Sequence, residues 1–171
     1  KKLRPLAKRL LLKIEHIFAA SDTDQKRFLK LGSEPYRTTC TGNIKFDVAV
    51  PSPLSDAHKI ALKTALGFDQ NDLILLGSST WPGEEESLIK IHQSLLENGT
   101  SCSLLIVPRH AERGREIEEI LDAQALPWHR RSSAQPITQK VRIHLADTTG
   151  ELANLSQIAD LVFIGKSLSP N

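Results

Sequence analysis

Four segments of this chain, LILLG (73–77), SLLIV (103–107), VRIHLA (141–146) and DLVFIG (160–165), are apolar almost without interruption. A strand with one wet face alternates apolar and polar residues, so a run that does not alternate must be covered on both faces. Segments with helical periodicity separate these runs, at about 56–67, 83–98, 111–124 and 151–158. Strands alternating with amphipathic helices predict a parallel, doubly wound α/β sheet, Rossmann-like in outline. Trp128 to Arg131 adds a short further strand. A parallel strand calls for a covering helix, yet only six residues follow Gly165. The chain is therefore expected to be a piece of a larger protein, with its sheet domain incomplete at the C-terminal end.

The front of the chain has a different rhythm. Residues 1–13 combine six basic residues with a leucine stripe, which predicts an amphipathic helix. It reads either as a helix packing its leucines on its own domain or as one lying on an anionic membrane surface. Ile14 to Ala20 reads as a strand, and Ser21 with Asp24 three residues on starts a helix that ends at Gly32. Thr38 to Thr41 is a further short strand. Pro51 and Pro53 then interrupt any regular element, so residues 47–55 are expected to be a linker. The expected organisation is a remnant of a preceding domain at 1–46, the linker at 47–55, and a nucleotide-binding sheet domain at 56–171.

Composition sets limits. With 22 basic and 20 acidic residues the net charge is +2, too small to point to nucleic acid as a partner. Cys40 and Cys102 lie far apart without metal-ligand spacing and read as reduced thiols inside strands. No apolar run reaches the roughly 18 residues of a membrane span, and no signal peptide is visible.

In doubly wound sheets ligands bind at the carboxyl ends of the strands. Three loops should meet on that edge: Gly77 to Gly83, Pro108-Arg109-His110, and Asp147 to Gly150. The first carries Ser78, Ser79 and Thr80, which read as ligand contacts or as a plain helix start with Pro82 in its first turn. Glu84, Glu85 and Glu86 already complement the dipole of the following helix and oppose a phosphate there. Thr148 and Glu151 have capping-box spacing, while Gly150 between them leaves backbone N–H groups approachable by an anion. Arg109 suits a phosphate or carboxylate. The alternative is an ion pair with Glu112. His110 reads as a ligand contact or a turn residue, and Lys45 would face a cleft if another domain preceded it.

GNIKFD at 42–47, GSSTWPGEEE at 77–86, LLIVPRHAER at 104–113, RRS at 130–132, DTTGEL at 147–152 and ADLVFIGKSL at 159–168 occur in one order. Together they resemble the bacterial 3-deoxy-D-manno-octulosonic acid (Kdo) transferases, from about residue 14 onward. The resemblance implies two Rossmann-like domains in the GT-B arrangement. It also implies an inverting, metal-independent transfer, with no cofactor, of Kdo from the donor CMP-Kdo to a lipid A precursor in lipopolysaccharide biosynthesis. The place implied is the cytoplasmic face of the inner membrane. By motif, Pro108 and Arg109 match the family's nucleotide-binding Pro-Arg pair, and Thr149, Gly150 and Glu151 match the loop that meets CMP. Lys45 matches a lysine that stabilises charge in the transition state. Ser79, Thr80, His110 and Lys166 are further candidates.

The family often has His where this chain has Trp81, Met where it has Thr149, and Gly where it has Lys166. Its catalytic carboxylate is expected in the N-terminal domain, and its final nucleotide motif beyond residue 171; the piece alone is expected to be inactive. Alternatives from the residues are another GT-B nucleotide-sugar enzyme, such as a UDP-sugar epimerase, or a non-catalytic nucleotide-binding module.

Overall fold

The computed structural model describes residues 4–43 and 52–168. The chain divides into two compact units, Lys1–Val50 and Pro51–Asn171. In the first unit, helix α1 (Arg4–Leu11) precedes strand β1 (Ile17–Ala19), helix α2 (Asp22–Leu31) and strand β2 (Thr38–Cys40). The strands β1 and β2 pair in parallel. Ser21 caps α2 by accepting the Asp24 N–H, and Gly32 closes it at φ 106, a backbone conformation that suits glycine. No residue of α1 is buried, and Leu6 and Leu10 are more than half exposed.

The second unit carries helix α3 (Asp56–Ala65), strand β3 (Leu73–Thr80), helix α4 (Glu84–Glu97) and strand β4 (Cys102–Pro108). Helix α5 (Gly114–Asp122), strands β5 (Trp128–Arg130) and β6 (Ile143–Leu145), helix α6 (Leu152–Leu155) and strand β7 (Leu161–Ile164) follow. The sheet order is β5-β6-β4-β3-β7, every pair parallel. This is the expected parallel α/β sheet. Helices cover both faces. Leu66, Ile74, Leu76, Leu105 and Leu155 share one core on the side of α3 and α6. Leu88, Ile89, Ile106, Ile117, Leu121 and Ile143 share the other, on the side of α4 and α5.

The chain steps from β3 to β4, passes to the edge strand β5, returns to insert β6 between β4 and β5, then crosses back over α6 to place β7 on the far side of β3. The order therefore reverses between β3 and β7. At the opposite, amino edge the buried Asp72 carboxylate accepts hydroxyl protons from Ser101 and Ser103 and an N–H from Arg142, at 2.6–2.9 Å.

One expectation fails here. The apolar run of β7 reads as a buried strand, yet Leu161, Val162 and Ile164 are 52–67% exposed. Among the described residues β7 pairs with β3 alone, and an apolar sequence cannot say whether a second neighbour covers it.

His144 on β6 and His129 on β5 stand opposite each other, ring centroids 5.5 Å apart. His144 bonds the Leu66 carbonyl through Nδ1 at 3.1 Å, while its Nε2 and the His129 Nδ1 are buried without partners among the described residues. Burial, then the neighbouring His129, pushes the His144 pKa down to about 4. The unfolded chain takes up that proton near pH 6.5, before the folded one does. Stability should therefore fall as the pH drops from about 6.5 to about 4, by at most about 3 kcal/mol from this group. Urea unfolding across that range should show a smaller pH slope for His144→Gln; an equal slope would contradict the assignment.

Candidate functional site

The registers bring the carboxyl ends of all five strands to one edge: Thr80 pairs with Pro108, Ile106 and Arg130 with Leu145, and Ser78 with Ile164. The three expected loops meet there. The loops after β5 and β7, which carry Arg131-Ser132 and Lys166-Ser167, join them.

Three buried or half-buried carboxylates hold this edge together, each with an arginine. The Glu85 side chain is fully buried and bound by Arg113 at 2.7 and 3.3 Å. Its Oε1 also accepts the Thr80 hydroxyl proton at 2.7 Å. Asp147 accepts from Arg130 Nε at 2.6 Å and from the Ser132 N–H and hydroxyl at 3.0 and 2.6 Å. Burial alone would raise the Asp147 carboxyl, but those bonds outweigh it and hold its pKa below the ordinary value. Glu151 accepts from Arg131 at 2.8 Å and from the Thr148 hydroxyl, and the arginine bond, ahead of the hydroxyl, lowers its pKa. Gly114 lies beneath the second pair, and a Cβ there would lie 2.6 Å from Arg130 Nη2 and 2.9 Å from Asp147 Oδ2, so the pair would have to shift.

These bonds decide several sequence-level alternatives. Thr80 is fully buried with its hydroxyl given to Glu85, so its side chain is structural. Ser79 is half-buried at φ 55, on a register shift of β3 against β4. Pro82 falls before the Gly83 N-cap of α4, outside the first turn. The Thr148 hydroxyl bonds the Glu151 carboxylate, and α6 begins at Leu152 with Glu151 as its N-cap and no side-chain cap bond. The expected capping box is thus a side-chain pair. Pro108 is buried as the last residue of β4. Thr149 and Gly150 are exposed, and Gly150, at φ 85, has open space around the position of a Cβ.

Arg109 is the edge cation left over. Arg113, Arg130 and Arg131 are each bound to carboxylates, whereas the exposed Arg109 guanidinium has no ion pair or hydrogen bond among the described residues. Glu112, its alternative partner, lies 3.4 Å from His110 Nδ1 instead. Only the Arg109 backbone is fixed, through its N–H to the Thr80 carbonyl at 3.0 Å. Lys166 is exposed at φ 68, its ammonium 5.5 Å from the centre of the Trp81 ring. Trp81 in turn meets His110 edge-on at 5.6 Å. Lys45 lies outside the described residues. None of the described His, Cys, Asp and Glu side chains form a group of three able to hold a metal ion.

Sequence reasoning missed the carboxylate–arginine pairs and the closed contact where the strand order reverses. There Gly165 donates its N–H to the Ser78 carbonyl at 2.8 Å. A Cβ at Gly165 would sit 1.9 Å from the Ser79 carbonyl oxygen. The only trace of this in the sequence is a glycine directly after an apolar strand.

A doubly wound unit with a free guanidinium and an open glycine turn on its carboxyl edge is suited to an anionic ligand, and comparison narrows this. Residues 1–48 match the family model described as 3-deoxy-D-manno-octulosonic-acid transferase (kdotransferase). The chain is 33% identical over 156 residues to the 3-deoxy-D-manno-octulosonic acid transferase of Haemophilus influenzae, covering 91% of this chain and 36% of that protein. It is 32% identical over 172 residues to a probable mitochondrial 3-deoxy-D-manno-octulosonic acid transferase of Arabidopsis thaliana, covering 98% and 38%. The crystal structure of the C-terminal CMP-Kdo binding domain of WaaA from Acinetobacter baumannii superposes with a TM-score of 0.56 at 30% identity. That match covers 66% of this chain and 57% of the other. Over most of its length the chain is similar to Kdo transferases. It spans about a third of the length of the curated relatives it matches.

Gly165→Ala would drive a methyl group into the Ser79 backbone, so β7 must shift or detach. The expected loss is about 2–3 kcal/mol of unfolding free energy, read by urea denaturation. An unchanged midpoint would show that the β3–β7 contact is looser than described.

Proposed function

We propose that the protein containing this chain transfers Kdo from CMP-Kdo to a lipid A precursor in lipopolysaccharide biosynthesis, and that the second unit holds the nucleotide. The observation that carries this reading is the unpaired Arg109 guanidinium on an edge where the other three arginines of the strand-end loops are neutralised. An unpaired cation on a rigid strand end is pre-organised for a phosphate. The neighbouring Thr149-Gly150 turn adds exposed backbone beside it, suited to the ribose or base. Similarity to a domain named for CMP-Kdo binding supports the same assignment.

In this reading the acceptor hydroxyl attacks C2 of Kdo while the bond from C2 to the CMP phosphate breaks, with inversion and without a metal. Negative charge collects on the departing phosphate, and Arg109 stabilises it where it develops. Lys45, assigned by its motif, adds a second cation whose attraction grows as the bond breaks. The base that takes the hydroxyl proton is assigned to a carboxylate of the N-terminal domain. Pro108 ends β4 and sets the direction in which Arg109 leaves the sheet. Glu151 stays bound to Arg131 and shapes the turn, and His110 borders the phosphate position. The lipid acceptor places the reaction at a membrane surface, here the cytoplasmic face of the inner membrane, on a GT-B arrangement of two domains. No helix of the described residues is long and apolar enough to cross a membrane.

Two measurements in the full-length protein test the assignment. Arg109→Ala should weaken CMP binding by about 1.5–3 kcal/mol, the range for a charge-assisted contact; unchanged calorimetric affinity would remove Arg109 from the site. Lys45→Ala should lower kcat with little change in KM, and a normal kcat would refute its role.

A further inference from the structure

Glu84 stands where the strand order reverses, the place where doubly wound folds commonly hold a ligand's phosphate at a helix N-terminus. The residue is 2% exposed. Its carboxylate accepts the backbone N–H of Trp81 at 2.8 Å through Oε2, and those of Ser167 and Leu168 at 3.0 and 3.3 Å through Oε1. Burial would raise this carboxyl, but the backbone donors at Trp81 and in the 166–168 turn bring it below its ordinary value. One side chain therefore ties the β3 loop to the β7 turn.

The tied turn holds Lys166 at φ 68, a left-handed conformation that disfavours any residue with a Cβ. Glycine would sit there without strain. A strained residue on a ligand-binding edge points to work done by its side chain. Lys166 lays its ammonium 5.5 Å from the centre of the Trp81 ring, an attraction that fixes a flexible cation. Strands β4 and β7 flank β3 on opposite sides. The loops carrying Arg109 and Lys166 are thus two strand spacings apart, about 10 Å. Two cations on loops so spaced suit a ligand with two anionic groups rather than a single phosphate. CMP-Kdo has two, the phosphodiester and the carboxylate on Kdo C1, joined through C2.

We propose that Lys166 receives the sugar-acid carboxylate of the donor, and that Glu84 is the positioning residue that holds Lys166 on Trp81 for this purpose. The inference rests on the nucleotide reading above, in which Arg109 takes the phosphate.

Steady-state kinetics of the full-length protein separate the two. Lys166→Ala and Lys166→Gly should each raise the KM for CMP-Kdo about tenfold, the scale of one charge-assisted contact. Inhibition by CMP, which lacks the carboxylate, should stay unchanged. Lys166→Gly also relieves the left-handed backbone, so its thermal midpoint should not fall while donor affinity does, a combination that a structural role would not produce. Glu84→Gln should raise the same KM, and the double variant Glu84→Gln/Lys166→Ala should be no worse than Lys166→Ala alone, because the two act through one contact.

Equal weakening of CMP-Kdo and CMP would assign Lys166 to the phosphate and overturn the proposal. A change confined to the acceptor's KM would overturn it too. Additive effects of Glu84 and Lys166 would remove the positioning role. If Glu84→Gln does not fold, the two Lys166 variants still decide where the carboxylate binds. Failure of Arg109→Ala to weaken CMP inhibition would instead sink the nucleotide reading itself.

Discussion

Glu84, the first residue of α4, is buried and ties the loop before the helix to the turn after β7, and the layout of the carboxyl edge follows from that. In a parallel sheet whose order reverses beside its central strand, the helix start at the reversal offers unpaired N–H groups and a positive dipole end. Here the Glu84 carboxylate turns back to the Trp81 N–H, ahead of the Gly83 N-cap, and reaches across to the β7 turn, while Gly165 presses against the Ser79 backbone. The carboxylates of Glu84, Glu85 and Glu86 in the first turn of α4 oppose a phosphate there. The open positions are therefore shifted along the edge, to the loops after β4 and β6, where Arg109 and Gly150 lie.

Paired charges give that edge its stiffness. Glu85 with Arg113, Asp147 with Arg130 and Glu151 with Arg131 each link neighbouring strand ends. Removing one member of such a buried pair leaves the other uncompensated, so the pairs are costly to break even where their net contribution is small. Their consequence for function is selectivity among cations. Arginines that look alike in sequence are neutralised by local geometry, and Arg109 remains without a carboxylate partner among the described residues.

Much of the fold was legible because it rests on local periodicity and on a few residues with single roles. Ser21 and Gly32 marked both ends of α2, and uninterrupted apolar runs marked strands covered on two faces. The three glutamates after Gly83 read as opposing a phosphate at the start of α4, and Glu84 and Glu85 are buried in contacts within the chain. What stayed hidden depends on contacts distant in sequence. Thr80 reads as a ligand hydroxyl until Glu85 is seen to take its proton. Thr148 and Glu151 have capping-box spacing, but Arg131, 20 positions away, draws the Glu151 carboxylate aside. Arg109 and Arg113 are equally basic in sequence, and only the position of Glu85 tells them apart. Strand β7 reads as buried because side-chain type records what a strand could pack against, not what stands beside it.

The central claim is that the nucleotide's phosphate binds at Arg109 and not at the start of α4. A crystal structure of the full-length protein with CMP tests it most directly. The account predicts the phosphate within about 3 Å of the Arg109 guanidinium, beside the 149–150 turn, with the Glu84 bonds to Trp81, Ser167 and Leu168 intact. A phosphate seated on the first turn of α4, with Glu84 swung out and Arg109 still free in solvent, would contradict it.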